Sequence, residues 1–127
     1  MIRHLTIPDL LFPESSPLSH AAIDDRYVYL AGLAACDLPE GRDAIGDVRA
    51  ETEKVMARIE KILAGLGLGM DRIVRVDVHL ADLAEIRAMN QVYGRYFQAG
   101  KYPARTCTES PKIVGGCRVE ITCVARL

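Results

Sequence analysis

The nine residues from 73 to 81 read IVRVDVHLA, and their alternation constrains the fold more than any other stretch. Branched aliphatic residues at every second position suit a strand with one buried and one wet face. On that reading Val74, Val76, Val78 and Leu80 face one way, and Ile73, Arg75, Asp77 and His79 face the other. Such a strand needs a sheet around it and a covering layer over its apolar side.

Two amphipathic helices supply that layer. The first is expected from Asp47, a residue type that caps free backbone N–H groups, and carries Val48, Thr52, Val55, Met56, Ile59, Ile62, Leu63 and Leu66 on one stripe. Gly65, Gly67 and Gly69 then end it; a phosphate-cradling glycine loop would instead follow a strand and open a helix. The second is expected from Asp82, with Glu85 completing a capping box, and runs its stripe through Ile86, Met89, Tyr93, Tyr96 and Phe97 to Gly100. Further strands are expected at 26–32, 104–110 and 117–127, with HLTI (4–7) as a short edge. The resulting class is α/β (α+β), a mixed β-sheet covered on one face by two α-helices in a single domain spanning 1–127. The uncovered second face then needs partners or solvent.

A chain of 127 residues, half of them hydrophobic, can bury roughly 65 to 70% of its unfolded surface in one core. Sixteen basic against 17 acidic residues leave a net charge of -1, so no positive field favours nucleic acid. No run approaches the ~20 apolar residues of a membrane helix, and Pro8, Asp9, Pro13 and Glu14 break up the N-terminal segment. A cytoplasmic location follows as an expectation. Cys36, Cys107, Cys117 and Cys123 form no C-x-x-C pair and read as packed thiols, and His4, His20 and His79 show no metal-ligand spacing. No metal site is expected from that spacing.

Two charged residues stand inside otherwise apolar or small-residue strands: Arg105 in PARTC and Glu120 in RVEITCVA. An unpaired buried charge costs several kcal/mol, so each needs a partner or solvent. They can pair with each other, point to water, or serve a ligand. In the last case the guanidinium fork grips a planar carboxylate in two bonds, and Glu120 is the group placed to move a proton. Cys107 lies two residues beyond Arg105 on the same strand face, where a cation can lower a thiol's pKa.

At these residues the chain resembles the Rid family, also called YjgF/YER057c/UK114, of reactive-intermediate imine deaminases. SPLSHA (16–21) is similar to the family's G-P-Y-S-Q-A segment, and YVYLAG leads toward the position of its S-G-Q. MNQVYGRYF (89–97) is similar to its V-N-x-x-Y-x-x-F-F helix, YPARTCTES to its P-A-R strand, and VEITCVA to its last strand. The resemblance implies a chorismate-mutase-like (YjgF-like) fold and a homotrimer with ligand clefts between subunits. It implies a small-molecule carboxylate substrate, with Arg105 holding the carboxylate and Glu120 activating water against the C=N carbon of a 2-imino or enamine acid. It further implies that Gly32, Cys107 and Asn90 line the cleft and that the reaction needs neither a metal nor an organic cofactor. Leu18 stands where deaminating members commonly carry Tyr, Leu33 replaces the Gln of S-G-Q, and Glu51 and Arg58 replace a Gln and an Asn of the first helix. The alternative within the family is a trimer that binds small carboxylates or keto acids without catalysis.

Overall fold

A computed structural model describes residues Met1–Leu127. Seven strands run in chain order: β1 Arg3–Leu5, β2 Ala21–Ile23, β3 Tyr27–Leu30, β4 Leu33–Ala34, β5 Ile73–Leu80, β6 Ala104–Glu109 and β7 Val119–Arg126. Two α-helices are present, α1 Val48–Gly65 and α2 Ile86–Tyr93. They form one mixed sheet ordered β1-β2-β3-β7-β5-β6, with β4 also paired to β7. Only the β5–β6 pair is parallel. α2 makes the crossover that a parallel pair requires, and α1 carries the chain from β4 to β5 on the other side of β7.

The two expected helices are present. Asp47 caps α1 by accepting from the N–H groups of Arg49 and Ala50 at 3.0 and 3.2 Å. At the other end Gly67 takes a φ of 77°, while Leu68 N–H donates to Leu63 O and Gly67 N–H to Ala64 O. That pair of bonds is the Schellman stop that glycine permits. α2 is shorter than the stripe suggested. A 3₁₀ turn, Leu83–Glu85, precedes it and another, Gly94–Tyr96, follows it. Asp82 does cap, accepting from Ala84 N–H, but Glu85 does not reach back; its carboxylate accepts Arg118 Nε at 2.7 Å.

The buried face of the sheet holds Val28, Leu30, Leu33, Val76, Val78, Leu80, Val119, Ile121, Cys123 and Ala125 beneath Val55, Met56, Ile59, Leu63 and Met89 of the helices. One expectation about β5 is reversed at its start. Ile73 is buried and Val74 is 42% exposed. Ile73 pairs with Ala125 and Arg75 with the adjacent Val124, so Val74 is an extra residue, a bulge that shifts the alternation by one. From Arg75 onward the expected parity holds.

β2 and β4 were not anticipated. β2 is a three-residue strand closed against β3 by Asp24, whose carboxylate accepts from Arg26 and Tyr27 N–H. β3 and β4 together flank β7 with one residue too many: Tyr29 pairs with Val124 and Leu33 with Ile121, four steps against three. The irregularity falls at Ala31–Gly32, beside Glu120. No helix is long and apolar enough to cross a membrane.

Candidate functional site

Arg105 pairs in register with Val76 of β5. Residues opposite one another in a ladder share a face, so Arg105 emerges on the helix-covered side. There it lines a cleft of about 300 Å³ with Asn90, Tyr93, Gly94, Tyr102 and Pro103. Its guanidinium carbon sits 4.9 Å from the centroid of the Tyr93 ring. Tyr93 is braced in turn by Phe97 at 5.0 Å, and Phe97 by Tyr102 at 6.4 Å. None of the four ion pairs of the chain uses Arg105. The two deeply engaged arginines differ. Arg58 is bound through two nitrogens by Glu40 and also touches Asp9, and Arg118 is bound by Glu85.

Glu120 pairs in register with His79 of β5 and Ala34 of β4. It therefore stands on the open face, half-buried, in a cleft of about 260 Å³ formed with His79, Ser110, Lys112, Ile113 and Val114. Gly32 closes against it: a Cβ at that position would lie 2.6 Å from Glu120 Oε1 and 3.0 Å from Thr122 Oγ1. Gly32 is not among the positive-φ glycines, so its backbone would accept a side chain; the space would not. The start of β7 is fixed from the helix layer by Glu51, fully buried in α1. Glu51 Oε1 accepts Arg118 N–H at 2.8 Å and Val119 N–H at 3.3 Å, and Oε2 accepts Gly46 N–H at 2.7 Å. Burial pushes its carboxyl above the ordinary range despite these donors.

Arg105 and Glu120 do not meet within one chain. They lie on opposite faces, two strands and three residues apart, which places their backbones about 14 Å from each other. Neither mutual pairing, one of the three options the sequence left open, nor a shared intrachain ligand is compatible with that placement. Of the remaining sequence-derived residues, Asn90 joins the Arg105 cleft and Gly32 joins Glu120. Cys107 shares Arg105's strand face, as expected, but burial outweighs the nearby cation and raises its thiol pKa. Leu18 stands apart, 47% exposed, on an N-terminal groove with Leu11, Phe12 and His20. His79 bonds Thr108 at 2.8 Å across to β6, while Asp77 pairs with Arg75. No cluster of His, Cys, Asp and Glu that could hold a metal ion is present.

Sequence reasoning placed Tyr93 in the core stripe and missed it as the support of Arg105. Its spacing of three from Asn90, the distance that puts two helical residues on one face, was the available signal. Lys112 and His79 at the Glu120 cleft had none, because β5, β7 and the 110–114 loop meet there only through the sheet.

Comparison with known proteins places the whole chain beside one family. A family model described as Endoribonuclease L-PSP matches residues 12–127. A goat protein named 2-iminobutanoate/2-iminopropanoate deaminase is 34% identical over 86% of this chain and 79% of its own. The human protein of the same name is 30% identical over the same shares. Among solved structures, YyfA of Yersinia pestis, described as a Rid family protein of unknown function, superposes with a TM-score of 0.88 over the full length of both chains at 22% identity.

Proposed function

The chain belongs to the Endoribonuclease L-PSP family, the Rid proteins, and on that premise we propose that it hydrolyses small 2-imino or enamine carboxylic acids to 2-keto acids and ammonia. Relatives named 2-iminobutanoate/2-iminopropanoate deaminase give it a RidA-like family role. The observation that carries the finer reading is Arg105: a half-buried guanidinium at a cleft, with no carboxylate of its own chain upon it.

In this reading Arg105 holds the substrate carboxylate in a two-bond fork, with Asn90 beside it. Glu120 takes a proton from water as the water oxygen attacks the C=N carbon and the C=N electron pair moves to nitrogen. The same carboxyl returns that proton to nitrogen, giving a carbinolamine; it then relays the carbinol O–H proton to the same nitrogen as the C–N bond breaks, so that ammonia leaves and the oxygen becomes the keto group. General acid–base help of this kind is worth about 10² to 10⁴ in rate.

Because Arg105 and Glu120 occupy opposite faces, the reaction needs two copies of the chain, one supplying the arginine and its neighbour the glutamate. The proposed assembly is a homotrimer with its clefts at the subunit boundaries. Mixing subunits tests this directly. On this reading Arg105→Ala and Glu120→Ala proteins are each expected to be inactive on freshly generated iminopropionate; after dissociation and co-assembly in equal amounts, about a quarter of boundaries in a cyclic assembly carry both groups. Recovery of about that fraction of activity supports the reading. Co-assembled but inactive protein refutes it.

A second reading, a carboxylate-binding assembly without catalysis, draws on Leu18, which brings no hydroxyl to any cleft. Under it, keto acids raise the melting temperature through Arg105 while imine decay is unchanged. The endoribonuclease of the family's description is disfavoured by the net charge of -1.

A further inference from the structure

We propose that Tyr93 is the positioning residue of the carboxylate site, its ring fixing the Arg105 guanidinium while leaving every N–H of that guanidinium free for a ligand. The inference rests on the proposed role of Arg105 and adds to it the means by which an arginine is kept both ordered and available.

A partly buried arginine meets two conflicting demands. Left free, its long side chain samples many rotamers, and ordering it on binding costs part of the binding free energy. Held by a carboxylate, it is ordered but its donors are used. The chain shows the second solution at Arg75, held by Asp77 through one nitrogen, and more fully at two other arginines. Arg58 is gripped through Nε and Nη2 by Glu40, and Arg118 through the same two nitrogens by Glu85. Both are ordered, and both have lost the fork that a ligand carboxylate would need.

Arg105 is held differently. The Tyr93 ring attracts the cation through its quadrupole at 4.9 Å from the centroid and takes no hydrogen bond from it. The ring cannot drift, because Tyr93 is 4% exposed and packs at a tilt against Phe97, which meets Tyr102 edge-on. Tyr93 and Tyr102, with Phe97 packed between them, border the cleft in which Asn90 stands.

The polar end of this tyrosine takes no part in the contact. Its hydroxyl is buried and has no hydrogen-bond partner in the chain, the only buried side-chain polar atom in that condition. Burial pushes its pKa up to about 12, so it stays neutral and the ring meets the guanidinium as an uncharged aromatic. A phenylalanine would pack here without the orphaned oxygen, so the support demands the ring and not the hydroxyl.

The experiment measures 2-ketobutyrate affinity and the kcat and KM for iminopropionate in four variants of the assembled protein: Arg105→Ala, Tyr93→Leu, Tyr93→Phe and Tyr93→pentafluorophenylalanine. The last keeps the shape of the ring and reverses its electrostatic face. Cation–π contacts span about 0.5 to 2 kcal/mol, which converts to roughly 2- to 30-fold in affinity. Tyr93→Phe is expected within about 2-fold of the parent. Tyr93→Leu and the fluorinated ring are expected to weaken keto-acid binding and raise KM by that 2- to 30-fold, with kcat changed far less.

If the fluorinated protein binds like the parent, or if kcat falls with KM untouched, the proposal is overturned. Should Tyr93→Leu fail to fold, the fluorinated and phenylalanine variants still decide the matter. Arg105→Ala separates the two levels of argument. If it binds keto acid normally, the carboxylate role of Arg105 is wrong; if it loses binding while the fluorinated ring does not, only the role of Tyr93 is wrong.

Discussion

Gly32→Ala tests the placement of Glu120 with the smallest possible change. The glycine backbone does not occupy the left-handed region, so alanine is allowed there and lowers the entropy of the unfolded chain. The new methyl, however, would lie 2.6 Å from Glu120 Oε1, against the 3.4 Å at which ordinary contact begins, so the carboxylate must retreat by about 0.8 Å. The obstructing atom is the far end of a flexible side chain, which swings away at little cost, and the melting temperature should move by no more than about 4 °C, the equivalent of ~1 kcal/mol. Catalysis is less forgiving: a displacement near 1 Å of an acting group can cost about 100-fold. The expected result is a fall of about 10- to 100-fold in kcat/KM for freshly generated iminopropionate, in a protein whose thermal midpoint and keto-acid affinity are nearly unchanged. Full activity in a folded Gly32→Ala protein would refute the reasoning, since the carboxylate would then be acting from elsewhere or not at all.

Two further expectations concern stability. Glu40→Ala strips the bidentate partner from a guanidinium that is 4% exposed, leaving it Asp9 alone; the loss should be about 2 to 3 kcal/mol, short of a fully buried pair because Glu40 is itself 39% exposed. Asp9→Ala, which removes one contact from a side chain 52% exposed, should cost under about 1 kcal/mol, and denaturant titration of both variants checks the order. Glu51 supplies a pH signature. Its folded pKa is raised above the ordinary 4.5 by burial, so between those two values the folded state holds the proton more tightly than the unfolded one. Stability from this group is therefore greatest in acid and declines as pH rises through that window; the difference in thermal midpoint between the parent and Glu51→Gln should shift against the parent over the same interval, and a difference independent of pH would contradict it.

The helices and the central strand were legible because their signals are local. Asp47 caps and Gly67 stops α1 through bonds that span a few residues, and the alternation from Arg75 to Leu80 belongs to one strand. What escaped was non-local. The bulge at Val74 has no signature of residue type and exists only as a register against β7. β2 is three residues long and β4 two, too short for any period to declare itself. Glu85 read as a capping residue because its sequence neighbour is Asp82, whereas its partner Arg118 lies 33 residues away. The same limit governs the site. Arg105 and Glu120 stood out as charges in apolar strands, but the face each occupies depends on pairing through β5, which no local window contains.

The opposed orientation of those two side chains carries a quantitative corollary. A sheet residue cannot cross to the other side by rotating its χ angles, so thermal motion of an isolated polypeptide never unites the pair. On the proposed chemistry, turnover thus becomes a function of protein concentration. A dilute, perfectly folded monomer would be a silent reservoir, switched on only by meeting its own kind.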